Sequence, residues 1–130
     1  MVNILPQVYN ILSQVAPSYY QYPQVLVDAV RNQSNVEQKY FPMISYFDSD
    51  HSADQFQDGL NDVDTVEITV DVWERADSST GELISVYADV DTAMRANKFI
   101  RTMFANNFED DTLINHYTFK YKKILEETPL

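Results

Sequence analysis

The chain has 130 residues, 45 % hydrophobic and 13 % aromatic, which is the size of one domain and enough apolar material for a core. It has no cysteine, which excludes a disulfide framework, thiolate metal sites and a cysteine nucleophile. A net charge of −11 argues against adhesion to DNA or to an anionic membrane, and no apolar run approaches the ~20 residues that span a bilayer.

In chain order, residues 3–16 predict a helix. Leu5, Val8, Leu12 and Val15 recur at helical spacing, Ile4 and Ile11 widen the stripe, Asn3 is the expected N-cap and Pro6 falls in the first turn. The N-terminal stretch lacks a basic n-region and is not read as a signal peptide. Residues 18–23 ("SYYQYP") predict a short strand ended by Pro23. Residues 24–40 are ambiguous, a short helix followed by a loop. Residues 41–47 ("FPMISYF") are strand-like.

Residues 48–64 hold six Asp and no Lys or Arg, and are read as an acidic loop joining two strands. Residues 65–74 carry the clearest strand. Val66, Ile68, Val70 and Val72 face one way, and Thr65, Glu67, Thr69 and Asp71 face the other, with Trp73 on that polar side. Ser79 and Glu82 have the spacing of a capping box, so a helix is expected from there to about Asn97, with Leu83, Tyr87, Val90 and Met94 as its apolar stripe. Residues 98–104 predict a strand, 106–111 a turn, and 112–125 a long strand. In that last strand Leu113, Tyr117, Phe119 and Tyr121 share one face and His116, Thr118, Lys120 and Lys122 the other. The expectation is one α+β domain over 1–125, a mostly antiparallel β-sheet with two helices packed on one face, and a frayed tail at 126–130.

Few residues carry visible chemistry. Asp48, Asp50, Ser52 and Asp54 alternate as in a calcium loop, but Ala53 stands where that loop needs Gly and Gly59 where it needs Glu. A solvated acidic segment is therefore preferred to a cation site. His51 and His116 have no nucleophile motif near them and are read as ordinary surface histidines. Two glycines cannot make a phosphate-cradling loop. Tyr19, Tyr20, Tyr22, Tyr46 and Phe47 could stack single-stranded nucleic acid only beside a basic groove, so core packing and a protein interface are the better reading. Trp73 has two readings of equal weight. It marks a contact surface, or the N-terminal segment or the acidic loop covers it. No catalytic residue, cofactor or metal is expected.

The charge is uneven. Residues 40–92 hold 13 acids and one base, whereas 93–125 hold six bases and three acids. Such asymmetry suits self-association, an acidic patch on one copy meeting a basic patch on the next. The candidate interface residues are Trp73, the acids Asp48, Asp50, Asp54, Asp58 and Asp62, and the bases Arg95, Lys98, Arg101, Lys120, Lys122 and Lys123.

Three segments in order, "FPMISYF", then "VDVW" running into "SS", then "FIRT" with "EDDT" and "INHYTFKYK", resemble the small tail-completion proteins of long-tailed bacteriophages and prophages, also called tail terminators or head–tail joining proteins. The resemblance covers most of residues 18–123, with 24–40 longer than usual. It implies a ring, typically a hexamer, at the head–tail junction of the virion, made in the bacterial host cytoplasm. The implied partners are copies of itself, the tail tube protein and the head connector protein, with DNA passing through the lumen without specific binding and no membrane contact. The rival readings are another neck or head-closure protein, an acidic DNA mimic, and a metal-dependent enzyme on Asp48, Asp50, Asp54 and Asp58.

Overall fold

The computed structural model describes residues 4–32, 36–55, 62–110 and 112–126, of which 30, 50–55, 62–64, 125 and 126 are described as backbone. Along the chain come α1 (Leu5–Ser13), β1 (Ser18–Tyr20), α2 (Gln24–Asn32), a 3-10 turn (Gln38–Tyr40), β2 (Met43–Gln55), β3 (Asp62–Glu74), α3 (Tyr87–Ala96), β4 (Ile100–Glu109) and β5 (Ile114–Glu126). The strands form one five-stranded sheet in the order β1-β2-β3-β5-β4. Only β1 and β2 run parallel; the other pairs are antiparallel. The fold is α+β.

The period-two pattern of β3 explains the first layer. Val66, Ile68, Val70 and Val72 are all buried, and cross-strand partners extend their row to Ile44 and Tyr46 on β2 and to Tyr117, Phe119 and Tyr121 on β5. α1 and α3 cover this face. Ile4, Val8, Ile11 and Leu12 from α1 and its cap, and Val90 and Met94 from α3, join those strand residues in one core. Fully burying an aliphatic side chain of this size contributes roughly 1.5–3 kcal/mol, so this layer is the main source of stability. Ile4, not Asn3, occupies the N-cap of α1, and no side chain caps that helix; Asn3 lies outside the described residues.

The second face has a cover that the sequence reading did not assign. Leu26, with Val25 and Ala29 of α2, packs with Val36 and Phe41 on Met43, Trp73 and Ile114. The Pro23 carbonyl accepts from Leu26 and Val27, so Pro23 starts α2 as well as ending the β1 segment. α2 therefore covers the Met43–Trp73–Ile114 end of this face, while Thr69 and Asp71, also buried on the nominally polar side of β3, lie further along it, Asp71 being held by His116 and Thr118 of β5.

Four expectations need correction. The acidic loop is mostly strand: β2 and β3 stay paired from Asp48↔Ile68 to Gln55↔Asp62, with a register break between Asp48 and Asp50, and only 56–61 fall between the strands, outside the described residues. Residues 48–58 contain neither Gly nor Pro, so nothing in the backbone stops the ladder that the buried half of the hairpin begins. The helix predicted from Ser79 starts instead at Tyr87, and Leu83 is exposed. The Ser79 hydroxyl donates to Asp77 Oδ1 at 2.6 Å and the Thr80 hydroxyl accepts from the Glu82 N–H, so these polar groups close a turn around Gly81, whose φ is +74°. Next, β4 runs on to Glu109, and the turn comes after it, with Leu113 exposed at φ +61° rather than in the core. Glu126, expected to be frayed, pairs with Val63; residues 127–130 lie outside the described residues. No helix among the described residues is long and apolar enough to cross a membrane.

Candidate assembly interface

Strand order decides which side chains meet solvent. β4 is an edge strand, and every one of its ten residues is exposed except Ala105, which is half-buried. Its exposed residues include Ile100, Met103, Phe104 and Phe108. Pairing with β5 places Phe104 in the row of Phe119 on the α1/α3 side, and Met103 in the row of Lys120 on the other. Apolar side chains therefore flank the free backbone edge on both faces. One bulge, between Arg101 and Met103, interrupts the strand; 103–109 run on without a break. An exposed, apolar, unpaired edge is a template for another strand.

The opposite edge has a different chemistry. β1 covers β2 only at 44–46, so 47–55 have no strand on that side among the described residues. Tyr19 and Tyr20 on β1 and Tyr22 after it are exposed. The Tyr20 hydroxyl donates to Asp48 Oδ1 at 2.7 Å, and that bond is the main reason the phenol is held above its usual pKa.

The expected basic patch divides. Asp91, on α3, accepts the Tyr121 hydroxyl on Oδ1 at 2.8 Å, while its Oδ2 meets Arg101 at 3.0 Å and Arg95 at 3.7 Å. Arg95 and Arg101 are thus brought together by one carboxylate, and both remain substantially exposed. Lys98 is exposed in the turn after α3, at φ +72°. Lys120 lies 4.0 Å from Glu67, and Lys122 is exposed. Lys123 turns inward: its ammonium donates to the Asn97 carbonyl at 3.1 Å and sits 4.8 Å over the Phe99 ring, and burial lowers its pKa. It is a packing residue, not part of a basic surface. Of the acids, Asp48 is exposed. Asp50, Asp54 and Asp62 lie on paired strands, described as backbone; Asp58 lies outside the described residues.

Trp73 belongs with its covered reading. It is 8 % exposed. Its Nε1–H donates to Ser45 Oγ at 3.1 Å, its ring stacks on His116 at 3.7 Å, and residues from α2 and 36–41 pack around it. Its cover comes from that segment and not from the acidic stretch. A contact surface formed by the indole itself is thereby corrected to a core position.

His116 is likewise more than a surface residue. Its Nε2 lies 2.7 Å from Asp71 Oδ1, and the Thr118 hydroxyl donates to that same oxygen at 2.8 Å. A nucleophile needs a base beside it and an orienting group behind the base. Here the three groups close a triangle: Asp71 Oδ1 takes both contacts, and Thr118 Oγ1 also lies 3.3 Å from the same His116 Nε2. One ring nitrogen thus faces both partners and no orienting group stands behind the base; the cluster ties β3 to β5. Arg75 is spent in a similar way. Its Nε and Nη2 donate to Gln38 and to the Val36 carbonyl, and its guanidinium lies over Phe41. Among the described residues no group of three His, Cys, Asp or Glu side chains could hold a metal.

The sequence reading missed the exposed apolar face of β4, the Tyr20–Asp48 pair and the Asp91 hub. The only sequence signal for the first was the concentration of Ile, Met and Phe in 100–108. No protein-family model and no curated protein matches this sequence.

Proposed function

We propose that this chain is a structural subunit of a long-tailed bacteriophage or prophage, a tail-completion protein that assembles with copies of itself into a ring at the head–tail junction. It makes and breaks no bond, and needs no cofactor. The observation that carries the self-assembly is β4, an edge strand that leaves Ile100, Met103, Phe104 and Phe108 in water. Leaving that apolar surface exposed costs stability that association would recover. The order of the three sequence segments quoted above supports the tail assignment. Two different edges, one apolar and basic and the other aromatic and acidic, suit the heterologous contact from which rings are built. The excess of acids would keep DNA phosphates from adhering inside such a ring, so that a duplex slides through it.

The test is to mix the purified protein with isolated tail tubes and, separately, with DNA-filled heads. The proposal expects it to bind one end of the tube and halt further polymerisation. Binding to heads alone would make it a head-closure protein, and binding to neither would refute the assignment.

A further inference from the structure

The register of the sheet aligns its two edges. Asp48 pairs with Ile68, Ile68 with Tyr121, and Tyr121 with Arg101, so Asp48 and Arg101 end the same cross-strand row. The neighbouring row on the same face runs from Tyr20 through Tyr46, Val70 and Phe119 to Phe104. Each row thus has complementary ends, a carboxylate against a guanidinium and a phenol against a phenyl ring. All four end residues are exposed.

We infer that the sheet continues from one copy of the chain to the next, the free edge of β4 pairing antiparallel with β1 and the adjoining part of β2 of a neighbour. This rests on the self-association proposed above but not on the tail assignment. The strand directions allow it: β4 runs opposite to β5, β5 to β3 and β3 to β2, while β1 runs with β2, so β4 is antiparallel to β1. A neighbour placed level with the first, by rotation about an axis along the strands, brings its Tyr20 beside Phe104. Its Asp48, one strand further in, comes about 10 Å from Arg101 backbone to backbone, within reach of the long guanidinium side chain. Charge supports this occupant over others. Segment 47–55 carries Asp48, Asp50 and Asp54 and no Lys or Arg, whereas the half of β4 that would face it carries Arg101 and follows Lys98, the strand's one acid, Glu109, lying at its far end. Cross-strand aromatic and ion pairs are the units that stabilise a sheet. The contact joins unlike edges and therefore repeats around a ring.

The absence of cysteine makes the test clean. Facing residues on paired strands have Cα atoms about 4.5–5.5 Å apart, within reach of a disulfide, whereas β1 and β4 of one chain are four strand spacings apart, about 19 Å. Tyr20→Cys and Phe104→Cys proteins are prepared separately, checked by circular dichroism, and mixed under mild oxidation. The expected product is a disulfide-linked dimer containing one of each, with each variant alone remaining uncrosslinked. The combined variant should give a ladder of oligomers. Dimerisation of Phe104→Cys alone would mean β4 pairs with β4 and would overturn the inference. So would assemblies without cross-links, or no assembly at all. If Phe104→Cys fails to fold, Tyr19→Cys with Ala105→Cys tests the adjacent row. As a second measure, Arg101→Glu should weaken association at least tenfold, and adding Asp48→Arg should restore most of it. Cross-linking without tube binding would leave this inference standing and remove the tail assignment; tube binding without cross-linking would do the reverse.

Discussion

The indole of Trp73 lies flat on the imidazole of His116, with ring centroids 3.7 Å apart and planes 9° from parallel. The indole also donates to Ser45 Oγ, and the imidazole is held by Asp71, so this stack joins β2, β3 and β5 on the second face. Trp73→Ala should therefore cost about 3–5 kcal/mol, the range for deleting a buried aromatic. Trp73→Phe should cost less, because it keeps most of the packing and loses the bond to Ser45. Urea unfolding measures both. A Trp73→Ala protein as stable as the parent would show that the indole is not part of the core.

Glu74 caps a helix that begins thirteen residues later, at Tyr87. Its side chain is fully buried, and Oε2 accepts from the N–H groups of Val86 and Tyr87 at 2.7 and 3.0 Å, while Oε1 is buried with no partner among the described residues. The carboxylate therefore meets the positive end of the α3 dipole. Glu74→Ala would strand two buried donors and should cost about 2–4 kcal/mol. Glu74→Gln keeps an acceptor oxygen and should fall between. Amide hydrogen exchange at Val86 and Tyr87 should quicken most in the alanine variant; unchanged exchange there would contradict the cap.

Alkaline pH should unfold the protein earlier than its lysines alone would. Burial, and then the bond to Asp91, push the Tyr121 pKa far above 10.0, and burial also raises Tyr46 and Tyr117. The unfolded chain releases these phenolic protons near pH 10 while the folded chain keeps them. The stabilisation is whole below that pH and shrinks as pH rises through and beyond it, by up to about 1.4 kcal/mol per pH unit for Tyr121. Tyr121→Phe should be less stable at neutral pH, having lost the Asp91 bond, and should show a shallower alkaline slope. Stability measured from pH 8 to 12 tests both, and an equal slope in the variant would contradict the assignment.

The β4 edge separates folding from association. Ile100 is 56 % and Phe108 53 % exposed, so Ile100→Thr and Phe108→Thr remove little buried area. Each should change monomer stability by less than about 0.5 kcal/mol, as surface changes do. Together they should raise the concentration needed for assembly severalfold in analytical ultracentrifugation. A large loss of monomer stability would mean that these side chains serve the fold.

What was legible in the sequence follows contact range. The 66–72 alternation and the α1 stripe read correctly because each pattern is set by one buried face of one element. Trp73 was left between two readings, exposed contact or covered residue, since the side chains that cover it, Leu26, Val36 and Phe41, are distant in the chain. The start of α3 was misplaced because a local signature, Ser79 and Glu82, competed with a cap supplied across the fold by Glu74. Segment 48–55 was misread from its acidity, although backbone pairing tolerates charge at a solvated edge. The strand character of β4 was visible in "KFIRTMF", but its exposure depends on strand order, which no local pattern encodes.

Negative-stain microscopy of the concentrated protein, paired with sedimentation velocity across a wide concentration range, tests the central claim most directly. Closed rings of uniform diameter, dissolving into folded monomers on dilution, are the predicted result. A folded monomer at every concentration, with and without tail tubes present, would contradict the account.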